Sequence, residues 1–309
     1  MKVAFRIHLW LLVGGLSVLL TPRSFAESFF CVEAHSGKVL LEAGADQKRA
    51  ISSLTHLATG IVVVDWAKFS GAQLNQLIPV VAVGGANPMG LQPGDAISVR
   101  EALYSMLMGS DAVSAATLAR HAGQSIAQRA GGRSPDGAFV TQMNHLAATL
   151  GMTSTRFRDP VGGRGNTSTA RDLAKLAVYA SRNTSFLFYV KQATRNISFQ
   201  RASQKLTFRV QNTNPLLGKS GIRGMKSAND NLSGPSLILT AEKAPAVLQL
   251  EDGRSMITPR RLIAVVLGSP DRENRGLALI SEGWSRHEGW RTTDGAVDGG
   301  PDFLRVPNP

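Results

Sequence analysis

The sequence predicts an α/β protein of the α+β kind, built on one antiparallel sheet of about five strands with helices on both faces. Three observations predict it. Short apolar runs at residues 29–34 and 38–42 are separated by the turn residues His35-Ser36-Gly37 and read as an early hairpin. Three further runs, at 222–228, 235–241 and 261–268, stand near the other end of the chain. Between the two groups the apolar spacing is helical rather than alternating. An early hairpin completing a late three-stranded sheet leaves the intervening helices to pack on its faces.

Taken in order, residues 1–26 are expected to be a secretory signal peptide. Lys2, Arg6 and His8 precede the apolar block Leu9 to Leu20, and Ser24-Phe25-Ala26 offers a small-residue cleavage site. The apolar block is short for a membrane span, and no later stretch reaches the ~18 apolar residues a spanning helix requires. The mature chain, residues 27–284, is then a single exported domain with no stable membrane anchor. Cys31 is the only cysteine, so an internal disulfide and a cysteine-based metal site are excluded. Ser28-Phe29-Phe30 does not suit a lipidated cysteine, and Cys31 is expected in a buried strand. The net charge is +12, but the basic residues are scattered and no aromatic-basic pattern for nucleic acid is visible.

Leu54, Leu57, Ala58, Ile61, Val62 and Trp66 keep helical spacing after Ser53. A strand is expected at 78–83 and a Gly/Pro-rich loop at 84–94. Ser98 caps a helix over 99–108 with Glu101 as its capping-box partner. Helices at 113–122, 136–150 and 169–182 follow, the last with Ser168 as cap, then weak strands near 197–199 and 206–210. Residues 242–259 interrupt the last two strands, a closing helix runs from Ser269-Pro270 to about Trp284, and 285–309 is expected to be a disordered tail.

Ser53-Leu54-Thr55-His56 is the stretch with chemical content. A serine in the first turn of a buried helix sits where free backbone N–H groups and the helix dipole stabilise an alkoxide. Three residues on, His56 can reach back toward it. In isolation, Ser-x-x-His reads as a capping serine and a half-buried histidine.

Further segments change that balance. Gly37-Lys38-Val39-Leu40-Leu41, Leu91-Gln92-Pro93-Gly94-Asp95, Met143-Asn144 with Leu150-Gly151-Met152-Thr153, Ser168-Thr169-Ala170-Arg171-Asp172 and Asn212-Thr213-Asn214-Pro215-Leu216-Leu217 occur in one order over residues 28–284. Together they resemble the serine D-alanyl-D-alanine carboxypeptidases, the low-molecular-mass penicillin-binding proteins of the β-lactamase/transpeptidase fold, which adds a helical subdomain to the sheet. The resemblance implies an acyl-enzyme on Ser53, formed with D-Ala-D-Ala ends of peptidoglycan stem peptides or with β-lactams, and no cofactor.

The three motifs that carry the family's chemistry are altered. Ser-x-x-Lys reads Ser53-Leu54-Thr55-His56, Ser-x-Asn reads Ser110-Asp111-Ala112, and Lys-Thr/Ser-Gly reads Lys226-Ser227-Ala228. Lys219-Ser220-Gly221 matches the third motif more literally but precedes the family's lead-in. The resemblance implies His56 and Ser110 as proton carriers, Lys226 and Ser227 as carboxylate holders, and the backbone N–H groups of Ser53 and Asn229 as the oxyanion hole. Two readings follow: an active peptidase in which imidazole replaces the amine base, or a pseudoenzyme that binds wall peptides or a cell-wall enzyme. A β-lactamase would need a water-activating group that the sequence does not offer.

Overall fold

The computed structural model describes residues 27–132, 134–293 and 303–309. The expected signal peptide lies outside them. The elements in chain order are β1 (Ser28–Glu33), β2 (Val39–Ala43), β3 (Arg49–Ala50), α1 (His56–Ser70), β4 (Leu77–Pro79), β5 (Ala96–Ser98), α2 (Val99–Gly109), α3 (Ala112–Arg129) and α4 (Pro135–Thr149). They continue with β6 (Thr167–Ser168), α5 (Ala170–Arg182), α6 (Thr184–Val190), β7 (Thr194–Arg201), β8 (Gln204–Gln211), β9 (Ile222–Ala228), β10 (Ser236–Gln249), β11 (Ser255–Leu267) and α7 (Arg272–Thr293).

The central sheet has five strands in the order β2-β1-β11-β10-β9, with antiparallel neighbours throughout. Period-two alternation decides its two faces. Phe30, Val32, Ile263, Val265 and Ile238 turn toward α1 to α6 and join the larger core. Cys31, Leu262, Ala264, Val266, Leu237 and Leu239 turn the other way, where α7 covers them with Leu279, Ile280 and Trp284. Burial pushes the Cys31 thiol up to about 12, so it is an inert core residue, as expected. The order also leaves β9 at an edge, beside the turn that begins α1.

Helix starts follow capping chemistry. Ser98 accepts from Glu101 N at 3.2 Å, as the sequence predicts. The cap of α5 is Thr169, accepting from Asp172 N at 3.1 Å, rather than Ser168, whose hydroxyl is paired with Thr155. Asp111 caps α3. Its carboxylate is buried and accepts from the N–H groups of Val113 and Ser114 and from the hydroxyls of Ser105 and Ser114.

Several expectations are corrected. The strand expected over 78–83 stops at Pro79, and the weak strands near 197–199 and 206–210 are a full hairpin, β7–β8, in a separate four-stranded sheet with β4 and β5. Residues 242–259 do not interrupt the last strands. They extend them into a ribbon, paired from Ala246↔Thr258 to Gln249↔Ser255 past a register shift at the prolines. The tail expected to be disordered from 285 is helical to Thr293, because Trp284 and His287 keep α7 seated on the sheet. Residues 303–309 are ordered as well. Leu304 is buried and donates its N–H to Gly37 O at 2.7 Å.

Candidate active site

A cleft of about 460 Å³ opens between the start of α1, the α2–α3 junction and the edge strand β9. Ser53 lies in a short 3-10 turn, Ser52–Thr55, directly ahead of α1. That turn is held from outside. Asp159 Oδ1 accepts the N–H groups of Val161, Gly162 and Gly163, folding residues 161–163 onto the Ser52–Thr55 turn. At Gly162 (φ +90) a Cβ would lie 2.3 Å from Ser52 O, so only glycine permits the contact. From across the cleft Asp230 accepts a hydrogen bond from the Ser52 hydroxyl, tying the turn to the β9–β10 connection.

The Ser53 hydroxyl is half-buried, lines the cleft and donates to Ser227 O at 3.2 Å. Lys226 is fully buried behind the cleft wall. Its Nζ donates to the same carbonyl at 2.9 Å and to the Ser110 hydroxyl. The Ser53 hydroxyl and the Lys226 amine therefore converge on one carbonyl oxygen. Ser110, at φ +59 at the end of α2, turns its hydroxyl into the cleft within 3.4 Å of Thr213 Oγ1. Ser227 Oγ donates to Thr213 O at 2.9 Å and meets Thr213 Oγ1 at 2.9 Å. The result is a continuous polar chain along the wall: Lys226, Ser110, Thr213, Ser227.

His56 is placed differently from the expectation. It sits on the cleft floor, fully buried, with Nε2 donating to Val161 O at 3.1 Å. Nδ1 is buried with no hydrogen-bond partner among the described residues. Burial, reinforced by the nearby Lys226 charge, lowers its pKa to about 3, so it is neutral. A neutral imidazole whose N–H is committed to a backbone carbonyl has its proton where the fold needs it. The only described hydrogen bond of the Ser53 hydroxyl is the one to Ser227 O. His56 is thus a floor residue with no described hydrogen bond to the Ser53 hydroxyl.

Lys226 has the opposite character. Burial, with Arg272 as a second cause, lowers its pKa to about 7. Its Nζ points at Ser110 and Ser227 rather than into open space, which does not suit a carboxylate holder. Arg272, at the first position of α7, lines the cleft instead and donates to Ala228 O at 2.6 Å. Burial lowers its pKa too, yet a guanidinium remains charged. It is the cation facing the cleft, and it was not picked out from the sequence. Its only local signal is its position just after Ser269-Pro270. Asn229 is exposed at the cleft mouth.

The altered second motif is matched by its surroundings. Ala112 donates its N–H to Ala86 O at 2.8 Å, and a Cβ on Gly85 would lie 2.8 Å from the Ala112 methyl. The Gly84-Gly85-Ala86 loop thus packs directly against the Ala112 methyl at the cleft edge. Among the described residues, no group of His, Cys, Asp and Glu side chains is arranged to hold a metal, and no helix is long and apolar enough to cross a membrane.

A serine hydroxyl at the head of a buried helix, facing a sheet edge across a peptide-sized cleft, places the chain in the DD-transpeptidase class of serine acyl-transfer folds. The crystal structure of the Streptomyces K15 DD-transpeptidase superposes with a TM-score of 0.70, at 26% identity, covering 83% of this chain and 96% of that one. The chain belongs to the D-alanyl-D-alanine carboxypeptidase family (peptidase S11), whose profile matches residues 19–250. It is 30% identical to the D-alanyl-D-alanine endopeptidase of Pseudomonas aeruginosa over 73% of this chain and 70% of the relative. It is 28% identical to the carboxypeptidase DacC of Escherichia coli K12 over 80% of this chain, a match spanning 58% of the relative's length. Penicillin-binding protein D2 of Listeria monocytogenes in its ampicillin-bound form shares the fold, with a TM-score of 0.66 at 24% identity over 83% of this chain and 96% of that one.

Proposed function

We propose that this chain is an exported serine peptidase of D-alanyl-D-alanine ends in peptidoglycan stem peptides, working through an acyl-enzyme on Ser53. The observation that carries the reading is the Ser53 hydroxyl, which opens into the cleft beside the polar chain formed by Ser110, Thr213 and Ser227. Ser53 Oγ attacks the carbonyl between the two D-alanines, and the backbone N–H groups of Ser53 and Asn229 serve as the oxyanion hole. Ser110 passes the hydroxyl proton on and returns it to the leaving amine. The terminal carboxylate is held by Arg272 with the Ser227 hydroxyl, a charge-assisted pairing suited to a guanidinium. Water then releases the acyl group. Export rests on the charged, apolar and small-residue order of the first 26 residues, which points to the periplasm or the outside of a bacterial cell.

A second reading has its own support. Ala112 offers no amide-orienting side chain, and His56 is turned from the nucleophile. A protein with those changes binds wall peptides without turning them over. Incubation of the purified mature chain with a fluorescent penicillin separates the two. The expected result is a covalent adduct on Ser53 by peptide mass spectrometry, absent in Ser53→Ala, together with release of D-alanine from a diacyl-D-Ala-D-Ala peptide. Muropeptide binding without any adduct would establish the pseudoenzyme instead.

A further inference from the structure

We propose that Lys226, acting through Ser110, is the general base of Ser53 acylation in this chain, and that His56 takes no part in proton transfer. The inference rests on the acyl-enzyme reading above and assigns the proton path within it.

The geometry carries the assignment. Lys226 Nζ contacts the Ser110 hydroxyl directly and shares the Ser227 carbonyl with the Ser53 hydroxyl. Ser110 reaches the cleft, whereas Lys226 lies behind it. A hydroxyl can accept a proton on one side while donating its own on the other. In the acylation step Ser53 Oγ forms a bond to the substrate carbonyl carbon. Its proton passes to Ser110 Oγ as the Ser110 proton passes to neutral Lys226 Nζ. When the C–N bond breaks, the Lys226 ammonium returns a proton through Ser110 to the departing amine. With a β-lactam the same proton goes to the ring nitrogen. No charge or atom is left over.

A base must be unprotonated before it can act, and the surroundings of Lys226 favour that. The cations facing it are the Arg272 guanidinium from α7 and, if it were ever protonated, His56 from α1. Among the described residues no carboxylate is paired with the amine. Asp111, on the α2–α3 junction, is committed to Ser105, Ser114 and the α3 N-terminus. Asp230 is committed to Ser52, Leu232 and Ser233 at the cleft mouth. With the amine pushed down to about 7, a useful neutral fraction exists at neutral pH. His56 is also unprotonated, but its described hydrogen bond runs from Nε2 to Val161 O and not to the Ser53 or Ser110 hydroxyl, so it lacks the contact a base needs.

The test is the rate of fluorescent-penicillin acylation at Ser53 between pH 5.5 and 9.5, in wild type, His56→Gln, Lys226→Met and Lys226→Arg, with thermal melts confirming that each is folded. Wild type is expected to show a rate that rises through an inflection near pH 7. His56→Gln, whose amide can still donate to Val161 O, keeps the rate within about threefold and keeps the inflection. Lys226→Met loses about 100-fold or more, the usual worth of a positioned base, and its inflection disappears. Lys226→Arg stays charged and behaves like the methionine variant, whereas it would restore the rate if the residue supplied positive charge alone. Retention of the inflection in Lys226→Met, its loss in His56→Gln, or rescue by arginine would each overturn the assignment while leaving the acyl-enzyme reading intact. Absence of any wild-type adduct would overturn both.

Discussion

At the scale of single residues, the central fact is a lysine buried with no carboxylate partner among the described residues. A primary amine loses more on leaving water when charged than when neutral, so the fold holds Lys226 near pKa 7 against an ordinary 10.5. The consequence for stability has a definite sign. Between those two values the unfolded chain carries a proton that the folded chain does not, so stability rises with pH across that window. Below about pH 7 both states are protonated and the full cost of burying the charge is present. Each unit of the gap corresponds to about 1.4 kcal/mol. Lys226→Met removes the titration while keeping a similar volume. Its melting temperature should exceed that of wild type most at pH 6, and the margin should shrink toward pH 10. A margin independent of pH would mean that the amine is solvated in the native state. Cys31 titrates in both proteins and drops out of the comparison.

At the scale of elements, the sequence was readable wherever one periodicity persisted over a whole segment. The five-stranded sheet and the helices α2 to α5 could be read because alternation and helical spacing persist there, whereas of their caps only Ser98 was legible and Asp111, Ser134 and Thr169 were not. What could not be read depends on distant partners. The β7–β8 hairpin is made of strands with exposed polar alternation, and its sheet forms only because β5 supplies a neighbour from a hundred residues earlier in the chain. The site divides in the same way. Ser53, Ser110, Ser227 and Asn229 are motif positions, and they do line one cleft. Arg272, Thr213 and Asp230 enter only through the fold, and the direction of the His56 ring was decided by a carbonyl on the 161–163 loop.

The ribbon beyond Lys243 and Arg260 is the element least coupled to the rest. Val247, Met256 and Ile257 are more than half exposed along it, so it buries little apolar surface. Its two strands pair with each other past the point where β1 and β9 end. Lys243 and Arg260 are opposite one another, so an Asn-Gly turn in place of residues 244–259 closes the hairpin in register. That replacement should shift the melting temperature by no more than about 2 °C, less than the worth of one buried side chain. Penicillin acylation should be unchanged. A large loss of stability would show that the ribbon packs on the body in solution.

At the scale of the molecule, the fold is closed at two opposite ends by different means. The strand registers put Ala228, Ser236, Leu267 and Ser28 at the cleft end, and Ile222, Ala241, Leu262 and Glu33 at the far end. The far end is covered by residues 303–309. Phe303 bridges to Lys38 in a β-bridge and meets the Trp290 ring at 6.2 Å. Leu304 is buried in the larger core, and Val306 packs against it. Arg182, partly desolvated at the end of α5, donates to Val306 O at 2.7 Å and to Ala34 O at 3.4 Å. Gly37 (φ +82) is what lets the strap approach, because a Cβ there would fall 2.3 Å from Leu304 O.

Removal of residues 303–309 exposes two apolar side chains and leaves a half-buried guanidinium with fewer acceptors. Burial at ~25 cal/mol per Å² and the cost of unpaired polar groups together suggest a loss of about 3–5 kcal/mol. For a domain of this size that is a fall of about 10 °C in melting temperature. Gly37→Ala in the full chain should reproduce part of it through strain and displacement of the strap. Neither change touches the cleft, which lies at the other end of the strands, so acylation of Ser53 at 25 °C should proceed at the wild-type rate. A truncated protein that melts with wild type would show that the strap merely rests on the sheet. One that melts normally but acylates slowly would mean that the two ends are coupled through β1 and β11.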